Sequence, residues 1–270
     1  LKLLPSIARR LPAALLLLWA FLALAGPLLP LSPNAVDLPA ILAEPGVASP
    51  LGNDELGRPV LDRLVVGART SLVVGLGVVG VSAFVGVLLG GVAALAGGWL
   101  DLVLVRVIDV FLAFPGILLA IALAGILGPG IENVIAALAL VGWVGYARLA
   151  RAQILSLKQR DHIFAARALG AGSARILFRH LLPLALAPLI VEATFSIAGA
   201  VIAEAGLSFL GLGVQPPQAS WGSMIREGVG FMLVAPHLVL APGVAILLVV
   251  LSVNLLGDQL RDRLDVRMTG

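Results

Sequence analysis

The sequence contains no cysteine, so neither a disulfide framework nor a thiolate metal site can be part of its chemistry. Its three histidines, His162, His180 and His237, are far apart in the chain, and no metal site is expected. Charge is scarce as well: 12% of residues are charged, against roughly 25% in a soluble domain, which excludes an ordinary water-soluble globule. Lysine is nearly absent. Lys2 and Lys158 are the only two, and neither follows a glycine, so there is no G-x-x-x-x-G-K-[ST] loop to cradle the phosphates of ATP. Gly211-Leu212-Gly213 lacks the third glycine and the strand-to-helix setting of a dinucleotide fingerprint, and with Pro216-Pro217 following it reads as a turn.

Apolar sequence fills the space left. Sixty per cent of the 270 residues are hydrophobic and the mean hydropathy is +1.09. A bilayer crossing needs about 20 apolar residues, and six runs meet or approach that length: Leu11 to Leu29, Leu72 to Leu95, Val105 to Leu127, Val134 to Leu149, Leu184 to Ala203 and Leu238 to Leu256. The first follows Lys2, Arg9 and Arg10 and contains Ala23-Leu24-Ala25, a signal-peptide cleavage pattern. At about 19 residues it exceeds the ~7–15 of a signal core, so it is expected to be retained as a helix. Gly86 and Gly90 form a GxxxG pair of the kind that lets helix backbones approach in lipid. Pro115-Gly116 predicts a kink in the third run, and Pro188 and Pro242 interrupt the fifth and sixth.

The pI of about 10.2 has its origin at the ends of these runs and not on a face that could hold nucleic acid. With the N-terminus inside, fourteen of the eighteen Lys and Arg fall on the inner side: Lys2, Arg9, Arg10, Arg106, seven between Arg148 and Arg179, and Arg261, Arg263 and Arg267. Only Arg58, Arg63, Arg69 and Arg226 fall outside, so the positive-inside rule predicts six helices with both termini cytoplasmic. The expected organisation is 1–30 for the N-terminus and first helix, 31–70 for an extracytoplasmic segment, 71–257 for a five-helix core, and 258–270 for a cytoplasmic C-terminus.

The longest charged insertion, within 150–183, has a definite form. Ile163, Phe164, Ala166 and Arg167 recur at helical spacing, and Gly170 with Gly172 interrupts the helix. Ser173 is expected to cap a second helix with Ile176, Leu177 and Leu181 on one face, and Pro183 to start the next crossing. On pattern alone, an amphipathic element lying in the lipid headgroups fits equally well. Three acids lie in or near apolar runs: Asp109, Glu192 and Glu204. An acid at a helix centre costs about 2.5–3.5 kcal/mol, which makes such residues candidates for a translocation path. Glu192 is nearest mid-helix; it either faces that path, where it would meet a substrate amine, or makes a buried hydrogen bond between helices.

The insertion resembles the cytoplasmic E-A-A-x3-G-x9-I-x-L-P loop of ABC-importer permeases. Ala165-Ala166, Gly170 and Leu182-Pro183 match at the right spacing, while Phe164 stands in place of Glu and His180 in place of Ile. Leu51 to Arg58 (LGNDELGR), Leu61 to Leu72 (LDRLVVGARTSL), Glu204 to Gly222 (EAGLSFLGLGVQPPQASWG) and Asn254 to Leu264 (NLLGDQLRDRL) are similar to the dipeptide, oligopeptide and nickel branch of that family. Asn53 there replaces Thr and Pro59 replaces Asp. The resemblance implies an all-α permease of the type I importer fold in the cell inner membrane, with no catalysis and no cofactor of its own. It also implies a second permease chain, two ATPase subunits that hold ATP and magnesium, and an extracytoplasmic binding protein. The residues it marks for coupling to the ATPase are Phe164, Ala165, Ala166, Arg167, Gly170, Ala171, Ser173, Ile176, Leu182 and Pro183. Di- or oligopeptides are the expected cargo, with nickel or another small solute as the alternative. An ion-coupled secondary transporter is the competing class, but no ion-coupling pair or internal repeat is visible. A scaffold that recruits a cytoplasmic protein through the basic loop is a third.

Overall fold

The computed structural model describes residues 6–47 and 49–265, so Lys2 and Arg267 of the charge count lie outside the described residues. In chain order the main helices are α1 (Ser6–Ala25), α2 (Val60–Ala96), α3 (Gly98–Leu112), α4 (Gly116–Leu127), α5 (Ile131–Leu157), α6 (Asp161–Ala168), α7 (Ser173–Phe209), α8 (Trp221–Val229) and α9 (His237–Asp265). The described residues contain no strand beyond one isolated bridge, between Asn53 and Pro59. The fold is therefore all-α, as expected.

The core of the bundle is a parallel pairing of α2 with α5, held in one register along its length. A Cβ at Gly77 would meet Ile135, and Ser82 Oγ donates to the Ala139 carbonyl at 3.5 Å. Further on, Cβ atoms at Gly86 and Gly90 would collide with the Trp143 and Ala147 carbonyls. The GxxxG pair is thus the place where the two backbones touch. Beyond it, Lys158 Nζ donates to the Ala94 carbonyl at 2.7 Å and fixes the far end.

Parallel packing also determines the number of crossings. Because α2 and α5 run the same way, the chain must travel back along the bundle between them, and only α3 and α4 are available to do so. Together they form one broken crossing. The break is sharper than the kink expected at Pro115: the two helices meet at 86°. Pro115 is extended at ψ 117° and disfavours helix in Phe114, so the hydrogen-bond ladder stops completely. At the other end of α3, Gly97 and Gly98 both have positive φ, +68° and +58°, which turns the chain abruptly out of α2.

The remaining crossings alternate. Trp19 Nε1 donates to the Ala68 carbonyl at 3.2 Å and Gly26 faces Val65, so α1 is antiparallel to α2. Gly75 faces Val201 while Gly91 faces Leu177, so α7 is antiparallel to α2. Gly257 of α9 faces Thr194 and Phe195, while Val249 and Val253 share a core with Ala198 and Val201. Six crossings result, and the start of α1 and the end of α9 lie on the same side of the bundle as the α5–α7 connection.

Two boundaries differ from the hydropathy reading. Helix α2 begins at Val60, well before the apolar run at Leu72, because Arg63 in its first turn is buried and fully paired instead of marking a solvated end. Its Nη1 meets Asp54 Oδ2 at 2.9 Å and its Nη2 meets Glu227 Oε2 at 2.7 Å. The second helix expected after Gly172 is not separate either; it is the first part of α7. There the Leu182 N–H reaches back five residues to the Leu177 carbonyl, and this wide π turn carries Pro183, which has no N–H, inside a continuous helix.

Candidate functional site

Between α5 and α7 the chain makes a short, rigid excursion. Helix α6 is only eight residues long and could not persist alone in water. It is held by Ile163, which is fully buried in a cluster with Ile154, Leu157, Ile176, Leu177 and Leu181. Its end is locked by a Schellman motif: Ala171 N–H bonds the Ala166 carbonyl at 3.0 Å and Gly170 N–H bonds the Arg167 carbonyl at 2.9 Å. Gly170 takes the left-handed conformation this requires, with φ +82°. The next helix is entered through Gly172, not Ser173, which makes no side-chain cap and already stands in the first turn. Gly172 adopts the extended cap conformation without help, so the hydroxyl is not needed.

This anchoring leaves one face of the excursion open. Phe164 is 54% exposed and Leu169, which sequence reasoning missed, is 89% exposed. Ala165 and Arg167 are exposed beside them, while Ala166, Ala171 and Leu182 are half-buried and Ile176 is buried. The expected coupling residues therefore divide into an outward-facing group around Phe164 and Arg167 and a seating group at Ala171, Ile176 and Leu182. Leu169 could have been found from its position just before the left-handed glycine, where the chain turns away from the helix.

The three acids are not brought together. Asp109 is on the exposed side of α3, 3.5 Å from Arg106. Glu192 is half-buried on α7, facing α5, where a Cβ at Gly145 would stand 3.5 Å from its Oε1. Glu204 is fully buried; its Oε1 accepts from Ser208 Oγ at 2.7 Å, and the hydroxyls of Ser71 and Ser220 stand close enough to act on the same carboxylate. The Glu204 and Ser208 spacing of four residues was the available signal for that pair. Next to this region, α2, α4, α5 and α7 line an open cavity of about 340 Å³.

On the opposite side of the bundle, Asp54 organises the segment before α2. Its Oδ1 accepts from the Leu56 and Arg58 backbone N–H groups, both at 2.9 Å, and Arg58 Nε meets its Oδ2 at 2.7 Å. Arg58 Nη2 also reaches Glu55 at 2.8 Å and Glu227 at 3.2 Å. The carboxylates of Asp54, Glu55 and Glu227 come within 4.8 Å of one another, and the guanidinium groups of Arg58 and Arg63 offset two of their three charges. Burial raises the Glu55 pKa above its ordinary value, reinforced by Asp54 and Glu227. A raised folded-state pKa means this group favours folding most below the ordinary glutamate range and loses that contribution as pH rises through the folded value. Glu55→Gln is accordingly expected to raise the melting temperature of the detergent-solubilised protein at pH 7 more than at pH 4. An equal effect at both pH values would contradict this account.

Residues 86–270 match the family model of the binding-protein-dependent transport system inner membrane component. The chain is 43% identical to a dipeptide transport system permease protein of Alkalihalophilus pseudofirmus, over 92% of this chain and 82% of that protein. It is 44% identical to a glutathione transport system permease protein of Pectobacterium atrosepticum, over 87% and 78%. A di/tripeptide transport system permease protein of Pseudomonas aeruginosa is 45% identical, over 81% and 72%.

Proposed function

The chain belongs to the family of binding-protein-dependent transport system inner membrane components, and from that membership we propose that it couples the import of short peptides to ATP hydrolysed on separate subunits. It is a membrane-spanning permease subunit of an ATP-binding-cassette importer, and it is a transport protein rather than an enzyme. The peptide cargo is supported by three relatives named for dipeptides, di/tripeptides and glutathione, itself a short peptide. A second permease chain completes the path, two ATPase subunits hold the nucleotide and its magnesium, and an external binding protein delivers the cargo. The side of the bundle that carries the start of α1, the end of α9 and α6 faces the cytoplasm, as the distribution of Lys and Arg favours.

The observation that supports this best is the exposed Phe164–Leu169 face on a seated, capped element. An interfacial lipid helix would need an apolar stripe several turns long, whereas α6 has two turns and turns Ile163 inward. Phe164, Ala165, Arg167 and Leu169 form the contact with the ATPase. Gly170, Ala171, Ser173, Ile176, Leu182 and Pro183 transmit its movement to α7. Glu192 lies on the translocation path, and Glu204 and Asp109 support its outer and inner ends.

The test is uptake of a radiolabelled dipeptide into proteoliposomes holding the complete transporter. ATP-dependent uptake that stops when the ATPase subunits are left out is expected. Uptake driven by an ion gradient without them would replace this reading with that of a secondary transporter.

A further inference from the structure

The 340 Å³ cavity lies against the middle turns of α2 at Val78 and Ser82, and Gly116, at the start of α4 just after the break, lines it. In secondary transporters, discontinuous helices near the bilayer midplane build the substrate sites. The lining is mostly Val, Ile, Leu and Ala, and the polar groups it contains are hydroxyls, from Ser82, Tyr146 and Ser196. Tyr146 is only 2% exposed, and its hydroxyl makes no hydrogen bond of good geometry, with the Ser196 hydroxyl the side-chain group within reach of it. A buried donor without a partner typically costs about 1–3 kcal/mol, so in the working protein something is expected to meet it. Ser196 and Glu192 stand close enough to act on Tyr146, and they are four residues apart on one face of α7. Gly199 adds room: a Cβ there would touch nothing within 4 Å.

We infer that this cavity is a side-chain subsite of the translocation path, taking one uncharged, mainly apolar side chain of a passing peptide while Glu192 meets the peptide's ammonium group. The inference rests on the peptide-importer reading above and adds to it a position and a selectivity. At 340 Å³ the cavity is at the small end of the ~300–1,000 Å³ range of ligand sites and has room for even a large apolar side chain. The Tyr146 hydroxyl gives that side chain one hydrogen-bonding option, which favours Thr over its isostere Val.

The experiment uses the complete transporter in proteoliposomes, with dialanine and dileucine as probes. Gly199→Phe places its Cβ in open space and its ring toward the cavity, and is expected to lower dileucine uptake at least tenfold relative to dialanine, with the second permease and both ATPase subunits still co-purifying. Tyr146→Phe, which removes one oxygen, is expected to reduce uptake of Thr-Ala relative to Val-Ala by roughly fivefold, the scale of one hydrogen bond. Equal loss for both members of each pair, or no loss, overturns the inference. So does failure of Gly199→Phe to hold the second permease, which would make the cavity part of the subunit interface. A wild-type transporter that moves none of these peptides overturns the peptide reading itself.

Discussion

Gly90→Leu is expected to abolish the folded permease. A Cβ at this position would collide with the backbone of Ala147, its carbonyl first and its Cα at 2.9 Å. Adding side-chain atoms to a packed core costs about 1–3 kcal/mol when neighbouring side chains can move aside. Here the obstacle is main chain, so α2 and α5 would have to separate. That separation would also open the contact of Gly86 with Trp143 and Tyr146 one turn earlier and strain the bond from Lys158 to Ala94 beyond it. The loss should therefore exceed about 3 kcal/mol, the top of that range. Gly80 provides the control. It lies on the same helix, in the same apolar run, and a Cβ there meets nothing within 4 Å. Fluorescence-detected size exclusion should show a monodisperse peak for Gly80→Leu and aggregated or absent protein for Gly90→Leu. A monodisperse Gly90→Leu with the wild-type melting temperature would mean that α2 and α5 do not pack as described.

That pair of glycines also shows what could be read from the sequence. GxxxG marked Gly86 and Gly90 as a close-approach surface because small residues four apart have one physical use in lipid. The partner helix was not readable, since Trp143 to Ala147 carry no complementary signature. The six crossings were legible as apolar runs, yet the break at Pro115 was read as a kink, because proline sets local geometry while its neighbours decide how far the helix axis turns. Arg63 misled for a different reason. An arginine scores as solvated in any hydropathy window, and its pairing with Asp54 and Glu227 depends on residues up to 164 positions away. Among the expected site residues, the seating of Ile176 and the turn at Gly170 were visible as periodicity and composition. The cavity beside Tyr146 was not, because it is made of what four helices leave unfilled.

Phe164→Asp is expected to release the proposed ATPase subunits while leaving the permease itself intact. Phe164 is 54% exposed, so the free chain gains little from its burial and loses little from its replacement. Its neighbour separates the two effects: Ile163 is fully buried, and Ile163→Asp would put a charge inside the cluster that seats the whole element. In a complex, completing the burial of a phenylalanine that is already half covered is worth about 1 kcal/mol, half of the usual 1.5–3 for the full side chain. Placing an unpaired carboxylate in the same apolar contact costs about 2 kcal/mol more. A sum near 3 kcal/mol is about a hundredfold in affinity. Leu169→Asp should act in the same direction, since that residue ends the same exposed element and is more exposed still. Phe164→Leu should keep most of the affinity because it keeps most of the apolar area. The readouts are the ATPase retained on an affinity-tagged permease and the melting temperature of the permease alone. Retention of the ATPase by Phe164→Asp at wild-type levels would place the contact elsewhere, and a large fall in melting temperature would make Phe164 part of the fold. With Phe164 occupying the position where the family pattern has Glu, the proposed coupling contact would depend on apolar area, so it should weaken little between low and high salt, whereas a charge-paired contact would be screened.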